Sequence, residues 1–156
     1  MTFEDELKRT GYLIYTITGV SMMPLLRQKK DIIGIKRKEA TRCNKYDVVL
    51  YKRGQKYILH RILKVRPEDY VIAGDNCTVL ECGVTDNQIL GVMTRVYRNG
   101  KEIHMTDMRY RLYMHLWCDC YPVRMAILRG KSLVRRGLEK AKRLMTSNEM
   151  HRRSKE

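Results

Sequence analysis

Apolar and polar positions change rhythm twice along the chain. Residues 2–10 are mostly polar and read as a short polar helix or a frayed start. From Tyr12 onward the chain is a series of β-type runs, at 12–18, 32–36, 48–52, 57–65, 70–73, 89–97 and 102–105. They are rich in Ile, Val, Tyr and Thr, side chains that suit a pleated, half-buried surface. Turn signals separate them: Gly19, Pro24, Cys43 with Asn44, Arg53 with Gly54, Pro67, Gly74 with Asp75 and Asn76, and Asn99 with Gly100. Asn99 and Gly100 between two strand-like runs predict a hairpin with a type I′ turn. Many short strands with frequent turns predict a mainly β body, a compact barrel or sandwich.

After about residue 108 the pattern becomes helical. Ile127, Val134, Leu138, Ala141 and Met145 recur at spacings of seven, four, three and four, which keeps them on one helical face. Lys and Arg fill most of the remaining positions, and Gly130 and Gly137 each weaken such a helix by about 1 kcal/mol relative to Ala. Residues 146–156 are polar and are expected to be disordered. The chain thus divides into a β domain over 1–108 and a basic helical extension over 109–156.

The 156 residues allow one domain with a real core. The net charge is +15, and residues 109–156 alone carry 13 basic against 4 acidic side chains. Such a tail suits nucleic acid, an anionic membrane surface or an acidic peptide, or it is simply a solvated basic helix. The five cysteines, Cys43, Cys77, Cys82, Cys118 and Cys120, are odd in number and match no common zinc spacing, so they are expected to be reduced thiols. Cys118 and Cys120 form a C-x-C pair. Glu4, Asp5, Glu6, Lys8 and Arg9 occupy residues 1–10 with no apolar h-region, so no secretory signal is expected there. Nor does any window hold the ~18–20 apolar residues of a membrane span. A cytoplasmic protein, peripheral at the membrane if its basic helix binds there, is expected.

Three strings carry candidate chemistry. Gly19-Val20-Ser21-Met22-Met23-Pro24 places a serine on a tight turn just past a β-run, where its hydroxyl and a backbone N–H can face one spot. By itself this is also what an ordinary loop serine looks like, because a hydroxyl needs a base within hydrogen-bond reach to become a nucleophile. Tyr57-Ile58-Leu59-His60-Arg61-Ile62-Leu63 puts His60 on one strand face between Ile58 and Ile62. A histidine there is either a satisfied core residue or a base that can take a serine proton and return it to a leaving amine. Ala73-Gly74-Asp75-Asn76 places an aspartate on a turn after a strand, as a plain Asx turn or as the acceptor that fixes a histidine tautomer.

In order and spacing, these strings resemble the type I signal peptidases and the LexA-type self-cleaving proteins. The resemblance runs over about residues 12–98, through GVSMMP, Asp31-Ile32-Ile33, the KYDVVLY block at 45–51, LHRI at 59–62 and AGDN at 73–76. It implies a compact signal-peptidase/LexA-like β fold and a serine endopeptidase. Ser21 stands at the nucleophile position and His60 at the general-base position. Histidine rather than lysine there is similar to the endoplasmic-reticulum, archaeal and sporulation branch. Asp75 matches the acidic partner of that branch, the residue that would orient His60, and its second acidic residue would be Glu81 or Asp86. Gly19 stands where many bacterial members carry a serine that helps the oxyanion hole, so oxyanion stabilisation would rest on the Ser21 backbone N–H, with another amide or a water as the further donor. The family's N-terminal membrane anchor does not fit in the 20 residues before Ser21, so the chain is expected to act without one.

The function implied is cleavage of a leader, a signal-like peptide or a dedicated protein substrate, with no metal and no cofactor. The helix over 123–145 would hold the enzyme to anionic lipid or dock an acidic leader. The alternative is a catalytically silent peptidase fold, kept as a binding module whose basic tail contacts membrane or nucleic acid. Nucleic acid is not the expected partner, since no aromatic-basic stacking platform or helix-turn-helix pattern is present. A LexA-like self-cleaving regulator would need a DNA-binding module and a cleavable linker that 20 residues do not hold.

Overall fold

The computed structural model describes residues 2–153. The chain forms two compact units, Met1–Cys120 and Tyr121–Glu156. The first opens with helix α1 (Phe3–Thr10), followed by eight strands: β1 (Tyr12–Thr16), β2 (Asp31–Arg37), β3 (Val48–Arg53), β4 (Lys56–Val65), β5 (Tyr70–Ala73), β6 (Glu81–Val84), β7 (Ile89–Arg98) and β8 (Lys101–His104). Helix α2 (Met108–Asp119) ends this unit, and helix α3 (Tyr121–Arg153) forms the second.

The expected mainly β body is present as one antiparallel sheet, ordered β1-β2-β7-β3-β4-β5-β6 from edge to edge without closing, with β8 paired to β7. The β7–β8 hairpin turns at Asn99 and Gly100, which have φ of 52° and 75°. Positive φ at both central residues is what a type I′ turn requires, and glycine adopts it at no steric cost.

Apolar side chains gather in two clusters. Leu13, Ile33, Ile35, Val48, Leu50, Met93 and Val96 belong to one, with Leu7 of α1. Val49, Tyr51, Ile62, Tyr70, Ile72, Val84 and Ile89 belong to the other. Neighbours in β3 alternate between them, so Val48, Val49, Leu50 and Tyr51 are all buried. This explains the unbroken apolar run at 48–51, because a strand covered on both faces has no polar side to show.

Three features differ from the sequence expectations. β6 went unrecognised because Glu-Cys-Gly-Val has neither alternation nor β-branched density. The boundary set at 108 moves to 120, since α2 belongs to the first unit. α3 continues to Arg153 across most of the stretch expected to be disordered, while residues 154–156 lie outside the described residues. Among the described residues, no helix is long and apolar enough to cross a membrane.

Candidate active site

The β3–β4 register pairs Val49 with His60 and Tyr51 with Ile58, so Tyr51 and His60 project to the same side of the sheet. His60 is 7 % exposed. Its Nδ1 lies 3.2 Å from Glu81 Oε1 and 3.3 Å from the Tyr51 hydroxyl. Tyr51 donates to Glu81 Oε2 at 2.8 Å, and Arg53 pairs with the same oxygen at 2.8 Å. A carboxylate accepts only, so this setting favours the tautomer with the proton on Nδ1 and the lone pair on Nε2.

Nε2 faces the loop that carries Ser21. A Cβ placed on Gly74 would stand 2.6 Å from the Ser21 carbonyl oxygen, 2.9 Å from His60 Nε2 and 2.8 Å from Cys77 Sγ. The imidazole and the serine peptide therefore approach each other across a space smaller than a methyl group, and glycine is the residue that leaves it open. The Ser21 loop is fixed from the same side. Asn76 donates its backbone N–H to the Ser21 carbonyl at 2.7 Å and its side-chain amide to the Val20 carbonyl at 3.2 Å.

Asp75 is placed differently from its expected role. Its carboxylate accepts both arms of the Arg61 guanidinium, Nε and Nη2, each at 2.9 Å, and the two side chains are fully buried. Strand alternation accounts for this, because Arg61 follows His60 and points to the opposite face. Three side chains of α2 complete the cluster. The Tyr110 hydroxyl accepts from Arg61 at 3.0 Å, Tyr113 donates to Asp75 Oδ2 at 3.1 Å, and the Trp117 indole N–H donates to the Asp75 carbonyl at 2.8 Å. Asp75 thus secures the turn bearing Gly74 and Asn76, while Glu81 holds the ring. Of the two candidates for the second acidic residue, Asp86 lies elsewhere, bonded to Tyr70 at 2.6 Å and paired with Lys38 at 3.1 Å.

Tyr51, Arg53 and the Tyr110, Tyr113 and Trp117 set were not singled out from sequence. The signals were present: Tyr51 shares a strand face with a histidine across a hairpin, and Tyr110, Tyr113 and Trp117 recur at helical spacings of three and four.

Ser21 and His60 open onto a cleft of about 530 Å³. Tyr15, Ile17, Thr18 and Gly19 line it on the β1 side, and Lys56, Tyr57, Ile58 and Leu59 on the β4 side. Phe3 of α1 packs on Tyr15 and Tyr57, with ring centroids 4.9 and 5.1 Å away. The cleft runs between strand edges. β1 ends the sheet order, and β5 pairs with β4 only over Arg61–Val65, leaving the 56–60 stretch outside that ladder.

Burial is the dominant influence on His60 and lowers its pKa. Glu81 opposes it, Arg53 reinforces it, and the net shift is downward from the ordinary value of about 6.5. At neutral pH the ring is therefore uncharged and able to accept a proton. Burial also pushes the Tyr51 phenol well above its usual range, so it stays a donor to Glu81.

Comparison with protein-family models, with curated proteins and with solved structures found no match for this chain.

Proposed function

We propose that the chain is a serine endopeptidase of the signal-peptidase and LexA-like type, with Ser21 as nucleophile, His60 as general base and Glu81 as the carboxylate that orients the base. The observation that carries this is the two-sided setting of the imidazole. Nδ1 is held by Glu81 and Tyr51, while Nε2 is turned to the Ser21 loop at the end of a cleft. A histidine kept only for packing needs neither the carboxylate nor the open side. The resemblance also implies a compact barrel or sandwich, and apolar clusters on both faces of the sheet support that form.

In this mechanism a peptide lies extended in the cleft and adds to the β1 edge or to the 56–60 edge of β4. Ser21 Oγ attacks the scissile carbonyl and His60 Nε2 takes the hydroxyl proton. Glu81 stabilises the imidazolium that forms, and the Ser21 N–H faces the oxyanion. The tetrahedral intermediate breaks its C–N bond as His60 gives the proton to the leaving amine. Water, deprotonated by the same ring, then hydrolyses the acyl-enzyme. The substrate is a leader, a signal-like peptide or a dedicated protein, and the enzyme works in the cytoplasm or at a membrane surface.

The test is cleavage of a peptide library holding leader-like and Ala-x-Ala-like sequences. Wild type is expected to cut a subset, and Ser21→Ala to lose about 10⁴-fold or more in kcat/KM while keeping its circular dichroism spectrum. Cleavage that survives in Ser21→Ala would remove the assignment.

Two further outcomes follow from the geometry. Glu81→Gln removes the charge that favours imidazolium, so kcat is expected to fall about 10²–10⁴-fold. Its acid limb should also move to lower pH, because a raising influence on His60 has gone. A limb that stays in place would separate Glu81 from His60. At position 19, a Cβ would meet nothing within 4 Å, so a side chain fits there without displacement. Gly19→Ser is expected to raise kcat about tenfold or more by adding an oxyanion donor. Gly19→Ala, which adds bulk without a donor, should leave it near wild type.

A further inference from the structure

α3 carries an exposed apolar stripe that the peptidase mechanism does not use. Val123, Ile127, Val134, Leu138 and Met145 are 57, 41, 63, 61 and 71 % exposed, and their spacings of four, seven, four and seven keep them on one face. One border of the stripe is basic, with Lys131, Arg135 and Lys142, and the face opposite the stripe carries Arg129, Arg136, Lys140 and Arg143, while the other border holds Gly130, Gly137 and the exposed Leu133. The first unit has a shorter stripe of its own. Met108, Leu112 and Leu116 of α2 are 85, 60 and 58 % exposed at spacings of four. The opposite face of α2 is committed to Arg61 and Asp75 through Tyr110, Tyr113 and Trp117.

We infer that α3 is an interfacial helix that lies in the surface of an anionic bilayer, its apolar stripe toward the acyl chains and its basic border and basic polar face toward the headgroups. An apolar stripe backed by a cationic face and flanked by one cationic border is the polarity order of a helix lying in an anionic bilayer surface. A second copy fits less well, since pairing two such helices would bring together eight basic side chains from each 123–145 stretch, with Glu139 the one acidic residue in it. Nucleic acid would engage the basic residues but leave the stripe in water, and the 123–145 stretch has no aromatic side chain for base stacking. The interfacial role is independent of the catalytic assignment.

The experiment is flotation of the full chain with vesicles of phosphatidylcholine alone and with 30 mol % phosphatidylglycerol, a fraction set by design at about that of anionic cytoplasmic leaflets. Three proteins are compared: wild type, a stripe variant (Val134→Ser with Leu138→Ser) and a border variant (Lys131→Gln with Arg135→Gln). Wild type is expected to float with the anionic vesicles only. The stripe variant, with its charge unchanged, should bind them about tenfold or more weakly, and the border variant about fivefold weaker for each charge removed. Thermal unfolding of each variant identifies any that fails to fold. Binding to anionic vesicles that the stripe variant retains in full would overturn the inference, and so would equal flotation with phosphatidylcholine alone. Sedimentation velocity covers the competing occupant, since a wild-type dimer lost in the stripe variant would assign the stripe to a second copy. Poly(U) binding that matches vesicle binding and ignores the stripe substitutions would assign the basic residues to nucleic acid.

Discussion

Arg61→Met is expected to destabilise the protein by about 3–5 kcal/mol, the usual cost of removing one partner from a buried ion pair. Arg61 and Asp75 are both fully buried and bonded through two parallel contacts of 2.9 Å. Without the guanidinium, the Asp75 carboxylate keeps the Tyr113 hydroxyl but has no charge to offset its own. For a chain of this size the loss corresponds to a fall in Tm of about 10 °C or more. Asp75→Asn should act in the same direction, because it leaves the buried Arg61 charge with neutral acceptors and no carboxylate to offset it. The double change Arg61→Met with Asp75→Leu should recover most of the loss, since a buried pair replaced by apolar groups is often close to neutral. Thermal denaturation of the three variants measures this. Single changes within 1 kcal/mol of wild type would mean that the pair does not anchor the turn carrying Gly74.

Gly74→Ala is expected to cost about 10² or more in kcat/KM, a large effect for the addition of one methyl group. The new Cβ would stand 2.6 Å from a backbone oxygen of Ser21, which cannot swing aside, and 2.9 Å from His60 Nε2. The serine loop and the ring must separate, and displacement of reacting groups by about 1 Å costs that order of rate. Overpacking also carries a stability cost of about 1–3 kcal/mol, so activity is compared at a temperature where the variant is folded. Unchanged activity in folded Gly74→Ala would show that the serine and the imidazole do not need their close approach.

Most of the strand pattern was legible because β-branched and aromatic runs alternate with Gly, Asn and Pro turns. Ser21 and His60 were legible as candidates because each lies in a distinctive local string. The carboxylate facing His60 was not, for a physical reason. Asp75 and Glu81 are both acidic residues downstream of the histidine, and which one meets the ring depends on the strand face each reaches. Arg61 decided it, since a buried guanidinium claims a carboxylate and Asp75 lies on its side of the sheet. An arginine inside the apolar LHRI run was the signal available in the sequence. Glu81 reaches His60 from β6, a four-residue edge strand paired with β5 at Tyr70 and Ile72, and Glu-Cys-Gly-Val carries too little β character to be recognised. The role of α2 in holding Arg61 and Asp75 was hidden for a similar reason. Its Tyr and Trp side chains pack by their rings and bond by their polar tips, so a count of apolar positions misses them.

For the peptide that the library selects, the decisive measurement is kcat/KM against pH, beside the titration of His60 followed by NMR in the same buffer. Burial lowers the folded pKa of His60, so the neutral ring persists below pH 6.5 and activity is lost only as pH falls through that depressed value. If His60 is the base for Ser21, the acid limb of kcat/KM coincides with the His60 titration, and both move together in Glu81→Gln. A profile that is flat through the His60 titration, or a limb that belongs to another group, would contradict the assignment.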